Sequence, residues 1–202
     1  MLHALAAGSV HGTPVLGVKL GHVNYLAEVE PSQLVDALDE LLRCSFAIEE
    51  RSVLAVRNGD GTPALVVNDV VLRRASGAPL ADVGLHVGGE EVARYRGDGV
   101  IVATPTGSTG YSLSAGGPLV SPRLAATIVT PLAARSTPAQ PLLLSGAEPI
   151  ELRLRGASSP LEVEIDGRER SVAHPLARLR IDQSAPCCRL IRLGPQRFPP
   201  RG

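Results

Sequence analysis

Residues 98–118 of the chain read Asp-Gly-Val-Ile-Val-Ala-Thr-Pro-Thr-Gly-Ser-Thr-Gly-Tyr-Ser-Leu-Ser-Ala-Gly-Gly-Pro. The apolar run Val100–Ala103 predicts a buried strand, and the Gly- and hydroxyl-rich residues after it predict a loop that starts a short helix near Thr109. Six Ser and Thr hydroxyls lie between Thr104 and Ser114, and a buried hydroxyl must find a partner. Free backbone N–H groups and small side chains suit an anionic or ribose-bearing ligand. The alternative is an ordinary loop capped by Ser and Thr.

Three familiar motifs do not match this loop. No Gly-Lys-Ser or Gly-Lys-Thr follows it, so it is not the phosphate loop of P-loop NTPases. The Gly-x-Ser-x-Gly turn of hydrolases is absent, and no Gly-x-Gly-x-x-Gly opens a helix. A Ser-His-Asp triad stays open, because its members can be distant in sequence, but no local pattern supports it.

Polar residues that interrupt or follow apolar strands are further candidates for a site. Asn68-Asp69 separates Leu65–Val67 from Val70–Leu72, and polar groups inside a strand need partners or cost about 1–3 kcal/mol each. Those partners are either ligand hydroxyls or the surroundings of an edge or bulge. Asp98 is either a solvated turn carboxylate or a ligand contact, and Asp166-Gly167 is typical of a hairpin turn.

The region from about residue 46 to residue 170 is predicted to be rich in β-strands. Short β-branched segments alternate there with turn residues, and Asn58-Gly59-Asp60-Gly61 and Gly88-Gly89 are typical of hairpins. We expect strands at 46–56, 64–74, 82–87, 92–96, 99–104, 126–132, 141–145, 149–155 and 161–165. So many short strands indicate a β-sandwich-like domain.

The first 45 residues have a different pattern, typical of a piece of α/β structure. Residues 1–8 predict the end of a helix stopped by Gly8, residues 14–20 a short buried strand, and residues 31–44 a helix. Residues 171–202 are predicted as a C-terminal segment that returns to this part and ends in a frayed tail from Pro195.

Composition excludes several classes of function. The chain of 202 residues has 20 Lys+Arg and 20 Asp+Glu, and this balance gives no electrostatic case for nucleic acid or an anionic membrane. Aromatic residues are only 2%, which argues against a base-stacking surface. No apolar run approaches the ~18 residues of a membrane helix. Cys44, Cys187 and Cys188 lack metal-site spacing and indicate a reducing compartment, so we expect a cytoplasmic protein.

Taken together, several segments resemble the NAD kinase family. The most specific is Thr104–Pro118, with its Thr-Pro-Thr-Gly-Ser-Thr and Ser-Ala-Gly-Gly-Pro. The other pieces are weak alone but agree in order and spacing over about residues 1–185. They are Gly17–Leu26, Asn68-Asp69, Gly97-Asp98-Gly99 and Ile165-Asp166-Gly167.

The resemblance implies an α/β fragment plus an all-β part. Residues 1–45 would be the remnant of an incomplete Rossmann-like N-terminal domain, residues 46–170 a β-rich NAD-binding domain, and residues 171–202 a segment that returns to the α/β domain. The implied reaction transfers the γ-phosphoryl group of ATP to the adenosine ribose 2′-OH of NAD, with Mg²⁺, giving NADP and ADP. Family members are commonly homodimers or homotetramers, and we expect the same here.

The resemblance also implies roles for individual residues. Asn68 and Asp69 would hold ribose hydroxyls, and His3 would occupy a phosphate-side position that is often basic. Arg96, Asp98 and Asp166 would reach the nicotinamide end, partly across a subunit interface. The remaining candidates belong to the loop and line the adenosine pocket, with Tyr111 offering a ring face: Thr106, Thr109, Gly110, Tyr111, Ser112, Leu113 and Ser114.

One functional element of the family has no match. Its Gly-Gly-Asp-Gly-Thr segment, whose Asp accepts or orients the 2′-OH proton, normally lies just before the counterpart of Met1-Leu2-His3. Gly59-Asp60-Gly61-Thr62 has nearly the same letters but lies downstream between two predicted strands, so we interpret it as a hairpin turn. We therefore predict no catalytic residue and no metal ligand in the chain, and little or no kinase activity from it alone.

Smaller departures affect the loop and its surroundings. Gly110 replaces a usual Ala, and Ala133-Ala134-Arg135-Ser136 departs from the family sequence near the expected subunit contacts. Two other functions stay open. One is a non-catalytic dinucleotide-binding or oligomerisation relative, and the other is a lipid or sphingoid kinase of the broader superfamily, which fits Thr104–Pro118 less well.

Overall fold

The computed structural model describes residues 1–20, 26–59, 61–135, 139–155, 161–170, 178–183 and 187–194. Contacts divide the chain into two units, Met1–Arg51 with Pro186–Gly202, and Ser52–Ala185. Parts of three predicted segments, Gly17–Leu26, the Asn58–Gly61 turn and the tail from Pro195, lie outside the described residues. Among the described residues, no helix is long and apolar enough to cross a membrane.

The described elements are mostly short strands. The helices are α1 (Leu2–His11), α2 (Leu34–Leu42, after a 3₁₀ turn at Pro31–Gln33) and α3 (Tyr111–Ser114, after a 3₁₀ turn at Thr106–Thr109). The strands are β1 (Ala47–Arg51), β2 (Leu54–Arg57), β3 (Ala64–Val66), β4 (Asp69–Arg74), β5 (Ala81–Val87), β6 (Glu90–Gly97), β7 (Gly99–Ala103), β8 (Ala126–Leu132), β9 (Leu142–Ser145), β10 (Ile150–Leu154), β11 (Leu161–Ile165), β12 (Arg168–Arg170), β13 (Arg178–Asp182) and β14 (Cys188–Arg192).

The first unit contains α1, α2 and a two-stranded antiparallel sheet of β1 and β14. The prediction that α1 stops at Gly8 is wrong, because the helix continues to Gly12, whose φ of 65° forms the left-handed cap. The strand predicted at residues 14–20 is also absent. That segment makes only isolated bridges, from Val15 to Leu190 and from Val18 to Val29, so its apolar residues pack without a ladder.

The boundaries of the units differ from the predicted ones. Residues 46–56 were expected as one strand of the β-rich domain, but they form β1, which pairs with β14 in the first unit, and β2, which pairs in the second. Residues 171–202 were expected to return together, but β13 pairs with β10 and β2. Strand pairing, which sequence patterns do not specify, moves both boundaries.

The second unit contains two six-stranded antiparallel sheets. The first sheet has the order β3-β2-β13-β10-β5-β6, and the second sheet has the order β12-β11-β4-β7-β8-β9. One apolar core takes residues from both sheets, including Val83 and Leu85 of β5 and Val100 and Val102 of β7. The predicted β-rich, sandwich-like domain is thus confirmed.

Strand β7 precedes the Gly- and hydroxyl-rich loop, and all five of its residues are buried. Val100 and Val102 face the core between the sheets. Ile101 and Ala103 belong to a second apolar cluster with Val71, Val120, Ala126 and Ile128. Since neighbouring residues of a strand point to opposite faces, this second cluster lies on the outer face of the second sheet, where another part of the chain must cover it.

Candidate functional site

The outer face of the second sheet is covered by residues 104–120, which we call the covering segment. Its first residue is tied to the break between β3 and β4, because the Thr104 hydroxyl donates to the Val67 carbonyl at 2.6 Å. The same oxygen accepts from the Gly107 amide at 3.1 Å. Gly107 lies so close to the Asn68 backbone that a Cβ would be 2.1 Å from the Asn68 carbonyl oxygen. Only glycine allows this approach.

Most hydroxyls of the covering segment serve the fold. Ser108 Oγ lies 2.7 Å from the Pro105 carbonyl and 3.1 Å from the Val120 amide. Ser112 Oγ is 2.8 Å from Thr130 Oγ1 on β8, and Thr109 donates to the Thr106 carbonyl at 3.3 Å. The density of hydroxyls therefore reflects internal bonds more than ligand contacts. The helix near Thr109 is a 3₁₀ turn followed by the single turn of α3.

Asp166 connects the hairpin of β11 and β12 to the polar pair Asn68-Asp69. Its φ of 49° and the 73° of Gly167 form the predicted turn. Its carboxylate accepts from the amides of Val67 at 3.0 Å, Asn68 at 2.7 Å and Asp69 at 3.3 Å. The backbone amides of Asn68 and Asp69 are thus bound by a residue of another hairpin, and these bonds fix the backbone positions from which both side chains extend.

Asp69 is a buried carboxyl on the outer face. Because β4 places Val70 and Leu72 in the core, Asp69, Val71 and Arg73 share the opposite side. A Cβ on Gly110 would lie 3.8 Å from Asp69 Oδ2. Burial, with the nearby charges of Asp166 and Glu164, raises the pKa of Asp69 from 3.8 to about 7. Near neutral pH this carboxyl can therefore accept or donate a hydrogen bond.

An open cavity of about 500 Å³ lies on the same face, toward the other end of β4. Tyr111, 45% exposed, forms part of its wall. Arg74 Nε donates to Asp98 Oδ1 at 2.8 Å, and Arg73 pairs with Glu162 at 3.1 Å. The charges in the wall are therefore balanced. The lining residues are Arg73, Arg74, Ala75, Ser76, Gly77, Asp98, Tyr111, Leu132, Ala133 and Glu162.

Comparison with known proteins identifies the family. The model of the ATP-NAD kinase C-terminal domain matches residues 67–193, which include the covering segment, Asp69 and the whole cavity wall. The chain belongs to the NAD kinase family. This confirms the resemblance that Thr104–Pro118 indicates in the sequence.

Curated NAD kinases match nearly the whole chain. The NAD kinase of Heliobacterium modesticaldum is 37% identical over 202 residues, which cover 98% of this chain and 71% of that protein. The NAD kinase of Symbiobacterium thermophilum is 38% identical over 204 residues, with the same coverage of 98% and 71%.

Two solved structures share the fold. A yeast NADH kinase complexed with NADH superposes with a TM-score of 0.84 at 26% identity, over 95% of this chain and 58% of that one. An NAD kinase from Archaeoglobus fulgidus in complex with ATP superposes with a TM-score of 0.75 at 30% identity, over 88% and 68%. The chain thus spans somewhat over half of the yeast NADH kinase chain and about two thirds of the archaeal one.

The structure places the site residues predicted from the NAD kinase resemblance in two groups, with the others outside these groups. One group surrounds the buried end of β4, and Asp98 and Tyr111 lie together at the cavity. Leu113 and Ser114 are exposed on α3, whereas Thr106 and Ser112 are buried within the covering segment. The group at the end of β4 consists of Asn68, Asp69, Gly110 and Asp166, with Thr109 close by in sequence.

Two predicted residues lie elsewhere. Arg96 is exposed on β6, the edge strand of the first sheet, where its carbonyl accepts from the Arg135 amide at 2.8 Å. His3 is exposed on α1, in the first unit. Neither side chain is among those that line the cavity.

Sequence reasoning predicted only Asp98 and Tyr111 among the ten residues of the cavity wall, and the eight it missed include Arg73, Arg74, Ala133 and Glu162. A signal existed for Glu162, since Leu161-Glu162-Val163-Glu164-Ile165 alternates and puts both glutamates on the face opposite the core. The ends of strands give no comparable signal for Arg73 and Arg74. Ala133 has a φ of 44°, and the sequence gives no signal for this left-handed conformation because alanine rarely adopts it.

The expected Mg²⁺ finds no ligand set in this part of the protein. Among the described residues, no group of three or more His, Cys, Asp or Glu side chains could hold a metal ion. Two carboxylates at the site have partners in the fold, since Asp166 accepts from three backbone amides and one oxygen of Asp98 accepts from Arg74. We therefore assign no residue to the metal.

Proposed function

We propose that this chain carries the NAD-binding part of an NAD kinase, which transfers the γ-phosphoryl group of ATP to the adenosine ribose 2′-OH of NAD and gives NADP and ADP. One observation carries the proposal. The covering segment lies on a doubly buried strand and brings Tyr111 beside the cavity, with the carboxyl of Asp69 beneath Gly110. The NAD kinase names of the relatives and the NADH and ATP complexes of the two solved structures support it.

In this proposal the buried end of β4 holds a ribose. Asn68 can donate and accept hydrogen bonds, and Asp69, with a pKa of about 7, accepts from a hydroxyl when ionised and donates when protonated. Gly110 leaves open the space above Asp69 that a methyl group would fill. Asp166 acts by positioning, because its three amide bonds fix the backbone that carries both side chains.

The remaining roles follow the outer face. The exposed ring of Tyr111 offers a surface on which a base can stack, and Leu113 and Ser114 extend that surface along α3. Thr106, Thr109 and Ser112 shape it from below. We propose Asp98 and Arg96 for the nicotinamide end and His3 for the phosphates.

Catalysis is where this chain is expected to be weak. Its 202 residues contain no Gly-Gly-Asp-Gly-Thr, and we assign neither the proton acceptor nor a Mg²⁺ ligand to any described side chain. A missing general base lowers a rate by about 10²–10⁴-fold. We therefore propose that the chain binds NAD but forms NADP slowly, in the cytoplasm and as a homodimer or homotetramer.

The same observation favours a second candidate, a non-catalytic dinucleotide-binding or oligomerisation relative of NAD kinase. Calorimetry with NAD, beside a coupled assay of NADP formation from ATP, separates the two. Binding with measurable turnover supports the kinase, and binding without turnover supports the relative. If NAD does not bind and no NADP forms, both proposals fail.

A matched pair of variants locates the binding. Tyr111→Ala removes the proposed stacking ring and is expected to weaken NAD about 10-fold, since stacking on an aromatic side chain contributes about 1–3 kcal/mol. Tyr95→Phe removes a hydroxyl from the core of the sandwich and is expected to leave NAD affinity unchanged, because Tyr95 is 1% exposed and does not line the cavity.

A further inference from the structure

Arg74 connects three walls of the cavity. It is the last residue of β4, and its Nε donates to Asp98 Oδ1 at 2.8 Å. Its Nη1 donates to the Ala78 carbonyl at 2.8 Å, across the turn that leads to β5. Its backbone amide donates to the Asp98 carbonyl at 2.9 Å. One side chain therefore holds the end of β4, the turn at residues 75–78 and Asp98 together.

Asp98 needs such a partner to keep one orientation. Its side chain is 48% exposed, and its backbone amide is held by the Leu132 carbonyl at 2.9 Å. Within the described part of the chain, the contacts found for its carboxylate are with Arg74. An ion pair exposed to this degree adds little to folding stability, about 0–1 kcal/mol. The main effect of the ion pair is to orient the Asp98 carboxylate, because one oxygen is held by Arg74 and the other can accept from a ligand.

Arg73 differs from its neighbour in this respect. It pairs with Glu162 at 3.1 Å across to β11 and has no hydrogen bond to Asp98. The two adjacent arginines of the wall therefore have different tasks. Arg73 closes the side formed by β11, whereas Arg74 sets the position of the carboxylate beside Tyr111.

We propose that Arg74 is a positioning residue for NAD recognition: it fixes the Asp98 carboxylate at the mouth of the cavity so that its second oxygen accepts from the dinucleotide. The inference rests on the proposed function, since it assumes that Asp98 contacts NAD. It predicts that the guanidinium matters through its two simultaneous bonds. A lysine in its place keeps the charge but cannot reach Asp98 and the Ala78 carbonyl with the same planar geometry.

The test measures NAD affinity by calorimetry in the full chain and in the variants Arg74→Gln, Arg74→Lys, Asp98→Asn and the double variant Arg74→Gln/Asp98→Asn. Arg74→Gln is expected to weaken NAD about 10-fold, and Arg74→Lys about 3-fold, as a partial rescue. The double variant is expected to bind no more weakly than Asp98→Asn, because Arg74 acts through Asp98. The control is Arg94→Gln, which breaks a similar ion pair to Asp82 at 2.6 Å on another face and leaves affinity unchanged.

The outcomes separate the inference from the proposed function. If Asp98→Asn weakens NAD while both Arg74 variants bind like the wild type, the positioning role is overturned and the NAD site stands. Effects of Arg74→Gln and Asp98→Asn that add fully also overturn it. If the unmodified chain does not bind NAD, the proposed function fails and the inference falls with it. Should Arg74→Gln not fold, the comparison of Arg74→Lys with Asp98→Asn decides.

Discussion

The two outer faces of the β-sandwich differ although both belong to six-stranded antiparallel sheets. The outer face of the first sheet is polar: β5 sends Ala81, Val83 and Leu85 to the core and Asp82, Gly84 and His86 outward. We call this side the ion-pair face. Its ion pairs join Arg94 to Asp82, Arg153 to Glu151 and Arg155 to Glu91.

The outer face of the second sheet is apolar where the covering segment lies. Ile101 and Ala103 of β7 are fully buried there, with Val71 and Ile128 beside them. Polar groups lie at the two ends of β4, as Asp69 and as Arg73 with its neighbours at the cavity, and Thr130 of β8 pairs with Ser112 of the covering segment. A strand that is apolar on both faces must be buried on both faces. In this protein the covering segment buries the outer face of β7, and the same segment carries residues of the candidate site.

The largest effect on stability is expected from adding a methyl group at Gly107, where the covering segment meets the Asn68 backbone. In Gly107→Ala the new Cβ would be 2.1 Å from the Asn68 carbonyl oxygen and 2.5 Å from its carbon. Backbone must move, so we expect a loss of about 3 kcal/mol or more in the free energy of unfolding, measured by urea titration.

Gly84→Ala is the matched variant on the ion-pair face. There the Cβ would meet Glu91 Oε2 at 2.8 Å and His86 Cε1 at 3.1 Å, which are side-chain atoms rather than backbone, so we expect a smaller loss of about 1–2 kcal/mol. Equal losses in the two variants would show that the covering segment is no more tightly fitted than the side chains of the ion-pair face.

The next effect depends on pH and has opposite signs on the two faces. The pKa of Asp69 is raised from 3.8 to about 7 in the fold, chiefly by burial, so the wild type loses stability as the pH rises from about 4 to 7. Asp69→Asn is neutral throughout. Its melting temperature should match that of the wild type near pH 4 and exceed it at pH 8. At pH 8 we expect its free energy of unfolding to be larger by roughly 2 kcal/mol.

Asp82→Asn tests the reverse sign on the ion-pair face. The hydrogen bond from Arg94 lowers the pKa of Asp82, so its stabilising contribution is present above pH 4 and is lost as the pH falls through the folded-state value. The variant should be slightly less stable than the wild type at pH 7 and equal to it in acid. A gain at pH 8 from Asp82→Asn, or none from Asp69→Asn, contradicts the assigned environments.

The smallest effect concerns the hydroxyl pair that fastens α3 to β8. Ser112→Ala removes the partner of Thr130 at 2.8 Å and leaves a buried hydroxyl unpaired, which costs about 1 kcal/mol. The double variant Ser112→Ala/Thr130→Val removes both hydroxyls and should be less destabilised than the sum of the two single variants. Additive losses, measured by thermal unfolding, would mean that the two hydroxyls do not bond each other.

Much of the second unit could be predicted from the sequence. Alternation in Leu161–Ile165 and the unbroken apolar run Val100–Ala103 determine strands whatever the topology, and Gly88-Gly89 and Asp166-Gly167 require the left-handed φ values of hairpin turns. The covering segment was recognisable because its glycines and hydroxyls have no use in a core strand.

The failures have physical causes that one sequence does not display. Residues 14–20 have the composition of a buried strand, but a strand needs a paired neighbour, and that segment has only isolated bridges. Gly8 lies inside α1 because the C-terminal cap of the helix is formed by Gly12, four residues later. Arg74 acts through Asp98 and Ala78, contacts that form only when the ends of the strands meet.

Hydrogen–deuterium exchange with and without NAD tests most directly the claim that the dinucleotide site lies on the covered face. We predict that NAD slows exchange at the amides of residues 106–114 and 74–78 and leaves β10 and β13, in the middle of the first sheet, unchanged. Slower exchange confined to β10 and β13, or NAD binding with no change in the covering segment, would contradict the account.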